Sequence, residues 1–115
     1  MLFFFLLLSH NTKANHVTIS THQFSDLIVM VASDSQSRTK GLMNVKKLIN
    51  SNGMLFLFDK PQIVNMWMYK TYLNLDMIFI DKKKKVISIK ETIPLSKEII
   101  SSEKKVIAVL ELPKD

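Results

Sequence analysis

The chain has 115 residues, of which 47% are hydrophobic, and it carries a formal net charge of +6 without any cysteine. This length allows one domain, and the apolar content excludes global disorder. The absence of cysteine excludes disulfide bonds, thiolate metal sites and a cysteine nucleophile. Of the 16 basic residues only Arg38 is an arginine. Proteins that recognise specific nucleic-acid sequences rely on the paired hydrogen-bond donors of arginine guanidinium groups. We therefore expect no specific nucleic-acid partner.

The amino-terminal block Leu2 to Leu8 is short and very apolar. A membrane-spanning helix needs about 20 such residues, so no transmembrane span is predicted here. The block resembles the apolar core of a secretory signal peptide, and Thr12-Lys13-Ala14 offers small residues near a cleavage point, although no basic residue precedes the block. We therefore predict a signal peptide over residues 1–14 and an exported protein. A buried amino-terminal strand is the alternative.

The next elements are two strands and a short helix. Val17 to Ser20 and Leu27 to Val31 are predicted strands, and the second is apolar on both faces, which is typical of a strand covered on two sides. Ser33 or Asp34 is a good helix cap. A short exposed helix should follow it and end near Gly41, a residue suited to the left-handed stop position. Apolar residues after that glycine are expected to tuck onto the core, namely Leu42, Met43, Val45, Leu48 and Ile49.

From Gly53 onward the apolar runs predict one strand after another. The predicted strands are Met54–Phe58, Ile63–Tyr69, Leu75–Ile80, Val86–Ile93 and Val106–Leu112. Most gaps between them are too short for crossover helices, so consecutive strands should pair mostly antiparallel. We predict one mostly-β domain over residues 15–115. Its expected architecture is a compact antiparallel β-barrel or sandwich with one short helical insertion at about residues 33–50.

Four blocks in the middle of the chain carry a resemblance to a known family. They are Gly41-Leu42-Met43, Gly53-Met54-Leu55-Phe56, Trp67-Met68 and Leu75 to Asp81. In this order and spacing they resemble domain of unknown function 192, a family of small, mostly exported bacterial and archaeal proteins without established biochemistry. The resemblance covers about residues 24 to 112 and implies a fold and a compartment but no reaction. It also implies a further short segment after the last strand, so that the carboxy end of the domain reads as truncated.

Four residues are our ligand-binding candidates, because they match positions that are usual in that family. They are Arg38, Trp67, Thr71 and Asp76. The segment departs from the family at Tyr69-Lys70, where Lys-Asn is usual, and at Asn74, where proline is usual. Polar side chains that a ligand could use are thus partly lost.

Asp76 is a lone carboxylate in an apolar strand, where a buried charge is costly unless it is paired. It could contact a ligand or transfer protons. It could also anchor backbone amides, Thr71 or Arg38, and this structural role is favoured because no second carboxylate lies nearby in sequence to divide acid and base roles. Trp67 could stack on a sugar, a base or a peptide side chain, or it could pack in the core.

Metal and cofactor sites have little support in the sequence. The seven methionines could bind copper(I) through sulfur, but core packing accounts for them more simply. The three histidines, His10, His16 and His22, have no accompanying cluster of ligands, so we predict no metal and no cofactor. We predict a monomeric binding or accessory module of the cell envelope that contacts an unknown small ligand or an envelope protein. The alternatives are an enzyme of unknown reaction using Asp76 and a structural relic without a ligand site.

Overall fold

The computed structural model describes residues 4–7, 16–21 and 26–114. Within them one short helix interrupts a series of strands. In chain order the elements are β1 (Phe4–Leu7), β2 (His16–Thr21), β3 (Leu27–Ala32), α1 (Ser35–Lys40), β4 (Gly53–Gln62), β5 (Asn65–Met66), β6 (Leu75–Ile80), β7 (Val86–Glu91), β8 (Ile100–Ser101) and β9 (Val106–Pro113).

The strands form one large mixed sheet and one small sheet, which confirms the mostly-β prediction. The large sheet has the strand order β1-β2-β3-β4-β9-β6-β7, and β5 pairs with β8 in the small one. The large sheet is open and does not close into the barrel that we considered. Its neighbours run antiparallel except β3 and β4, which are parallel. The predicted helical insertion is the crossover between these two strands, and it is what allows their parallel pairing.

The helix α1 begins and ends where the sequence indicates. The Asp34 carboxylate accepts a 2.7 Å hydrogen bond from the backbone N–H of Ser37, and the Ser37 hydroxyl accepts one from the backbone N–H of Asp34. This reciprocal pair caps the orphan donors of the first turn. The bond from the Ser37 backbone N–H is the main cause that lowers the pKa of Asp34, and the Ser37 side chain and the charge of Arg38 lower it further. Gly41 follows the helix at a φ of 49°, a conformation that side chains other than glycine rarely adopt.

The region after β4 differs from its prediction. Residues 59–61, which the prediction left between the strands Met54–Phe58 and Ile63–Tyr69, are part of β4, whose pairing with β9 shifts register between Leu57 and Gln62. This irregularity accommodates Pro61, which has no N–H to offer a regular ladder. The strand expected over residues 63–69 shortens to the two residues of β5.

The last strand, β9, is the centre of the sheet, because it pairs with β4 on one side and β6 on the other. Both of its faces are covered. On one face the core includes Phe56, Met77, Phe79 and Val109, and on the other it includes Leu55, Ile78, Ile80 and Leu110. The first face is also packed by residues of the connecting segments, among them Leu42, Val64 and Met68. Five methionines pack in or against this first core, as expected: Met30, Met54, Met66, Met68 and Met77.

The amino-terminal β1 pairs antiparallel with β2 at the edge of the large sheet, with Phe4 opposite Thr21. This strand falls within the segment predicted as a signal peptide. The predicted cleavage point after Ala14, together with His10 and His22, lies outside the described residues.

Candidate functional site

A cavity of about 380 Å³ lies between α1, β4 and the segment that contains β5. Its volume is within the range of small-molecule sites. Its apolar wall comes from the first core face and includes Leu42, Phe56 and Val64. Its polar lining comes from several elements and comprises Ser35, Arg38, Thr39, Lys40, Gln62, Asn65, Thr71 and Glu111.

Glu111 is the buried acidic group of this cavity. It stands in the central strand β9, opposite Met54 on β4 and Met77 on β6, and is only 4% exposed. Among the described residues its carboxyl group has no ion pair, and no side chain or backbone N–H donates a hydrogen bond to it. Burial raises the pKa of Glu111 from 4.5 to about 8, since the charged form loses its hydration. At neutral pH the group is therefore mostly a neutral carboxylic acid that can donate one hydrogen bond.

Arg38 joins the helix to the sheet beside the cavity. Its Nη1 atom donates hydrogen bonds to the carbonyl oxygens of Ser33, at 2.8 Å, and Leu57, at 2.9 Å. Its guanidinium carbon lies 5.1 Å from the centroid of the Phe58 ring. These contacts fix the direction of the guanidinium group while using only Nη1, so that Nη2 and Nε keep hydrogen-bond donors for another partner.

Two aromatic rings stand over the cavity, those of Trp67 and Tyr69. Their centroids are 4.8 Å apart and their planes are tilted by 37°. Trp67 is 44% exposed, so it is not a core residue. The Nζ atoms of Lys70 and Lys97 lie 5.2 and 5.7 Å from the centroid of Tyr69, which brings two further positive charges to this end of the cavity.

Similarity to known proteins identifies the family of this chain. The sequence profile of domain of unknown function 192 (DUF192, described as an uncharacterized ACR) matches residues 16–115. The chain belongs to this family. No curated protein matches the chain.

Two solved structures resemble it. One is a protein from Sinorhizobium meliloti 1021, described as a proposed transcription regulator, which is 41% identical with a TM-score of 0.74; the match covers 82% of this chain and 71% of that one. The other is a protein of unknown function from Novosphingobium aromaticivorans DSM 12444, 25% identical with a TM-score of 0.78, covering 94% of this chain and 80% of that one.

Close packing near the cavity explains why glycine stands at Gly41 and Gly53, the two glycines of the DUF192 blocks. A Cβ atom at Gly53 would collide with the backbone carbonyl of Glu111 and lie 2.9 Å from Leu112. A Cβ atom at Gly41 would lie 3.1 Å from the ring of Phe56, at a φ that already disfavours side chains. Both glycines allow a close approach that shapes the wall or the floor of the cavity.

Three of the four candidates from the sequence lie at this cavity, and the fourth does not. Arg38, Trp67 and Thr71 all line the cavity. Thr71 is buried, and its hydroxyl donates to the carbonyl of Tyr69 at 3.1 Å, so that it holds the turn beneath the aromatic rings. Asp76 does not line the cavity. It pairs with Leu112, a residue of the opposite core face, and its buried Oδ1 atom has no hydrogen-bond partner among the residues that the structure describes.

Glu111 is the residue that the sequence reasoning missed. A signal was present, because Glu111 is a single acidic residue inside the apolar run Val106–Leu112, just as Asp76 is inside Leu75–Ile80. Asp81 accepts hydrogen bonds from the backbone N–H groups of Lys83 and Lys85 and closes the turn after β6.

Metal and membrane features are few in the described ranges. Residues 4–7, 16–21 and 26–114 contain no group of three or more histidine, acidic or cysteine side chains placed to hold a metal ion. In those same ranges no helix has the length and apolar character needed to cross a bilayer.

Proposed function

We propose that this protein is an exported binding module of the cell envelope and that the cavity over Glu111 is its ligand site. The observation that carries the proposal is a carboxyl group that is almost fully buried, unpaired among the described residues, and placed in a cavity of ligand size. Export is supported by the apolar block Leu2 to Leu8 and by the character of the family that the sequence resembles.

An unpaired buried carboxyl is costly to the fold. Asp76 has an unpartnered oxygen among the described residues but lies away from the cavity, whereas Glu111 lines it, so the position of Glu111 indicates a site. Leaving a buried polar group without a partner destabilises a protein by about 1–3 kcal/mol. A leucine at this position in the core would avoid that cost. A ligand that accepts or donates a hydrogen bond at Glu111 would offset it, and polar groups that oppose stability in this way cluster at functional sites.

The other lining residues supply the remaining parts of a binding site. Arg38 is held in one direction by its two carbonyl contacts and lines the cavity as a fixed positive charge. Trp67, together with Tyr69, offers an aromatic surface on which a flat or apolar part of a ligand can stack. Thr71 acts as a positioning residue through its bond to the Tyr69 carbonyl.

Acid–base catalysis is the second candidate, and Glu111 favours it more than Asp76 does. A carboxyl with a pKa of about 8 can gain and lose a proton near neutral pH, as a general acid or base must. However, the described cavity lining contains no second carboxylate and no histidine to share the proton transfers. Binding is therefore the better-supported function, and the single-carboxylate enzyme is the rival to be tested against it.

The Sinorhizobium protein is described as a proposed transcription regulator, so sequence-specific DNA binding is a further candidate function to be tested for this chain. The single arginine of this chain, Arg38, donates hydrogen bonds from Nη1 to two backbone carbonyls and lies beside a cavity. Most recognition of DNA sequence uses side chains that project freely into a groove. Selection from a pool of random-sequence DNA duplexes at about 0.15 M salt should therefore enrich no sequence.

The test is native mass spectrometry on the mature protein, purified from its own cell envelope without chelators. We expect a bound mass in the wild-type protein that is lost or reduced in both Trp67→Ala and Glu111→Leu. Asp76→Asn is the matched control, since it alters an acidic residue on the opposite face of the same sheet and should retain the mass. If the mass is absent, or survives both cavity substitutions, the cavity is not the ligand site.

A further inference from the structure

Building on the proposed function, we propose that the ligand of the Glu111 cavity is a small organic anion that carries a carboxylate or a phosphate group. The inference comes from the charges around the cavity. Arg38 and Lys40 line it, and Lys70 and Lys97 lie against the ring of Tyr69 at its aromatic end.

None of these four cations forms an ion pair within the described part of the chain, although Asp34, at the start of α1, carries a negative charge near Arg38. The ion pairs found there join Lys90 to Glu103, at 3.1 Å, and Lys114 to Glu91, at 3.0 Å. Four positive charges around one opening, of which only Arg38 is partly balanced by Asp34, produce a positive potential that attracts and holds an anion. Arg38 in addition retains the donors of Nη2 and Nε, which suit the paired oxygens of a carboxylate or a phosphate.

The state of Glu111 fits an anion as well. A neutral carboxylic acid can donate a hydrogen bond to an anionic oxygen, whereas an ionised carboxylate would repel it. The titratable and charged groups that share the cavity with Glu111 are Arg38 and Lys40 from α1 and the Tyr69 phenol. Its neighbours on the adjoining strands, Met54 and Met77, carry no charge.

This arrangement couples anion binding to a proton. With a pKa of about 8, roughly one Glu111 in ten keeps its proton at pH 9, against about nine in ten at pH 7. If only the protonated form accepts the anion, the apparent dissociation constant rises about tenfold between these two pH values. A neutral ligand would lose much less, and a cationic ligand would bind more tightly at the higher pH.

The aromatic end of the cavity, formed by Trp67 and Tyr69, indicates the chemistry of the rest of the ligand. Trp67 is nearly half exposed and leans on Tyr69, so a ring or another flat group can pack against it. Aromatic acids and aromatic phosphate esters are therefore suitable probes. Benzoate and phenyl phosphate distinguish the two anionic groups, and benzamide and glucose serve as neutral comparators.

The experiment titrates the full chain with each of the four probes, following Trp67 fluorescence together with ligand-observed NMR. At pH 7 we expect benzoate or phenyl phosphate to bind at least about tenfold more tightly than benzamide. Whichever anion binds more tightly identifies the group. Between pH 7 and pH 9 its affinity should fall about tenfold for the wild type and stay nearly constant for Glu111→Gln, which keeps the shape of the side chain but cannot ionise.

Lysine variants separate the role of charge from that of folding. Lys70→Gln and Lys97→Gln alter exposed residues and should each weaken anion binding severalfold without affecting the fold. Lys83→Gln, in the turn after β6, is the matched control and should leave binding unchanged. Equal weakening by all three would mean that the overall charge, rather than the cavity, attracts the anion, and would overturn the inference.

The remaining outcomes distinguish this inference from the function on which it rests. If benzamide or glucose binds as tightly as the anions and depends on Glu111, the cavity is a ligand site but not an anion site. If no probe gives a signal that depends on Trp67 or Glu111 while native mass spectrometry still finds a bound mass that depends on both, only the anion inference fails. If that bound mass is also absent, both proposals fail.

Discussion

Arg38 and Glu111 line one cavity without forming an ion pair. The guanidinium group is directed by its bonds to the carbonyls of Ser33 and Leu57, and the pKa of Glu111 is raised by burial with no lowering contribution from Arg38. Were the two groups in contact, the carboxyl would be held ionised and the cavity would be neutral. Their separation leaves a fixed cation and a protonated acid facing the same space.

The first prediction concerns pH and stability. The pKa of Glu111 is about 8 in the folded protein, against 4.5 when the side chain is free in water, so the unfolded chain releases this proton first. The folded state therefore binds more protons than the unfolded state between these values, and the free energy of unfolding falls as pH rises from about 4.5 to about 8. At about 1.4 kcal/mol per pH unit the total loss is at most about 5 kcal/mol.

Urea denaturation at pH 5, 7 and 9 measures this effect. The Glu111→Gln variant cannot ionise, so the difference between wild type and variant isolates the contribution of this one group. The two curves should diverge, with the variant gaining in relative stability as pH rises. Parallel curves would show that Glu111 is ionised in the folded protein at neutral pH.

The second prediction concerns Gly53. The Gly53→Ala substitution places a methyl group against the carbonyl oxygen of Glu111, and the backbone of two central strands must then separate. Strain between packed strands cannot relax as a flexible side chain would, so we expect a loss of about 3 kcal/mol or more, or a failure to fold. Lys83→Ala, on the exposed lysine turn, should change the stability by less than about 0.5 kcal/mol. A stable Gly53→Ala protein would contradict this packing of β4 on β9.

The third prediction concerns the hydrogen bonds of Arg38. The Arg38→Met substitution keeps much of the apolar stem but removes both bonds to backbone carbonyls, so we expect the free energy of unfolding to fall by about 1–3 kcal/mol. Arg38→Lys should recover only part of this loss, because an ammonium group lacks the planar fork of arginine. Lys40→Met, on the same helix and exposed, is the control. Equal stability of the Arg38 and Lys40 variants in urea would show that Arg38 does not hold α1 to the sheet.

The fourth prediction concerns the electrostatic potential at Trp67, the single tryptophan of the chain. Because Lys70 and Lys97 lie against the adjoining Tyr69, iodide should quench Trp67 fluorescence at least roughly twofold more strongly than caesium at low salt, when each ion is compared with its own quenching of free tryptophan. The difference should shrink at about 0.5 M salt, where charges are screened over a few ångströms. It should also shrink in the Lys70→Gln, Lys97→Gln double variant. Equal quenching by both ions would contradict a positive opening.

The sequence by itself determined the local elements, because local chemistry forms them. Asp34 and Gly41 mark the two ends of α1, since capping and left-handed geometry depend on single residues and their immediate neighbours. Leu75–Ile80 was predicted to the residue from its apolar composition. The family blocks were equally readable, and so were three of the residues that line the cavity: Arg38, Trp67 and Thr71.

Only the tertiary structure decided which carboxylate faces the cavity. Met77 pairs with Glu111 and Asp76 pairs with Leu112, so that two acidic residues one register step apart stand on opposite faces of the sheet. A strand exposes alternate residues to alternate faces, and the face that each takes depends on how distant strands align. The chain gives no local indication of that alignment, nor of the central place of β9 between β4 and β6. The cavity and its buried acid therefore follow from long-range pairing, which cannot be read from neighbouring residues.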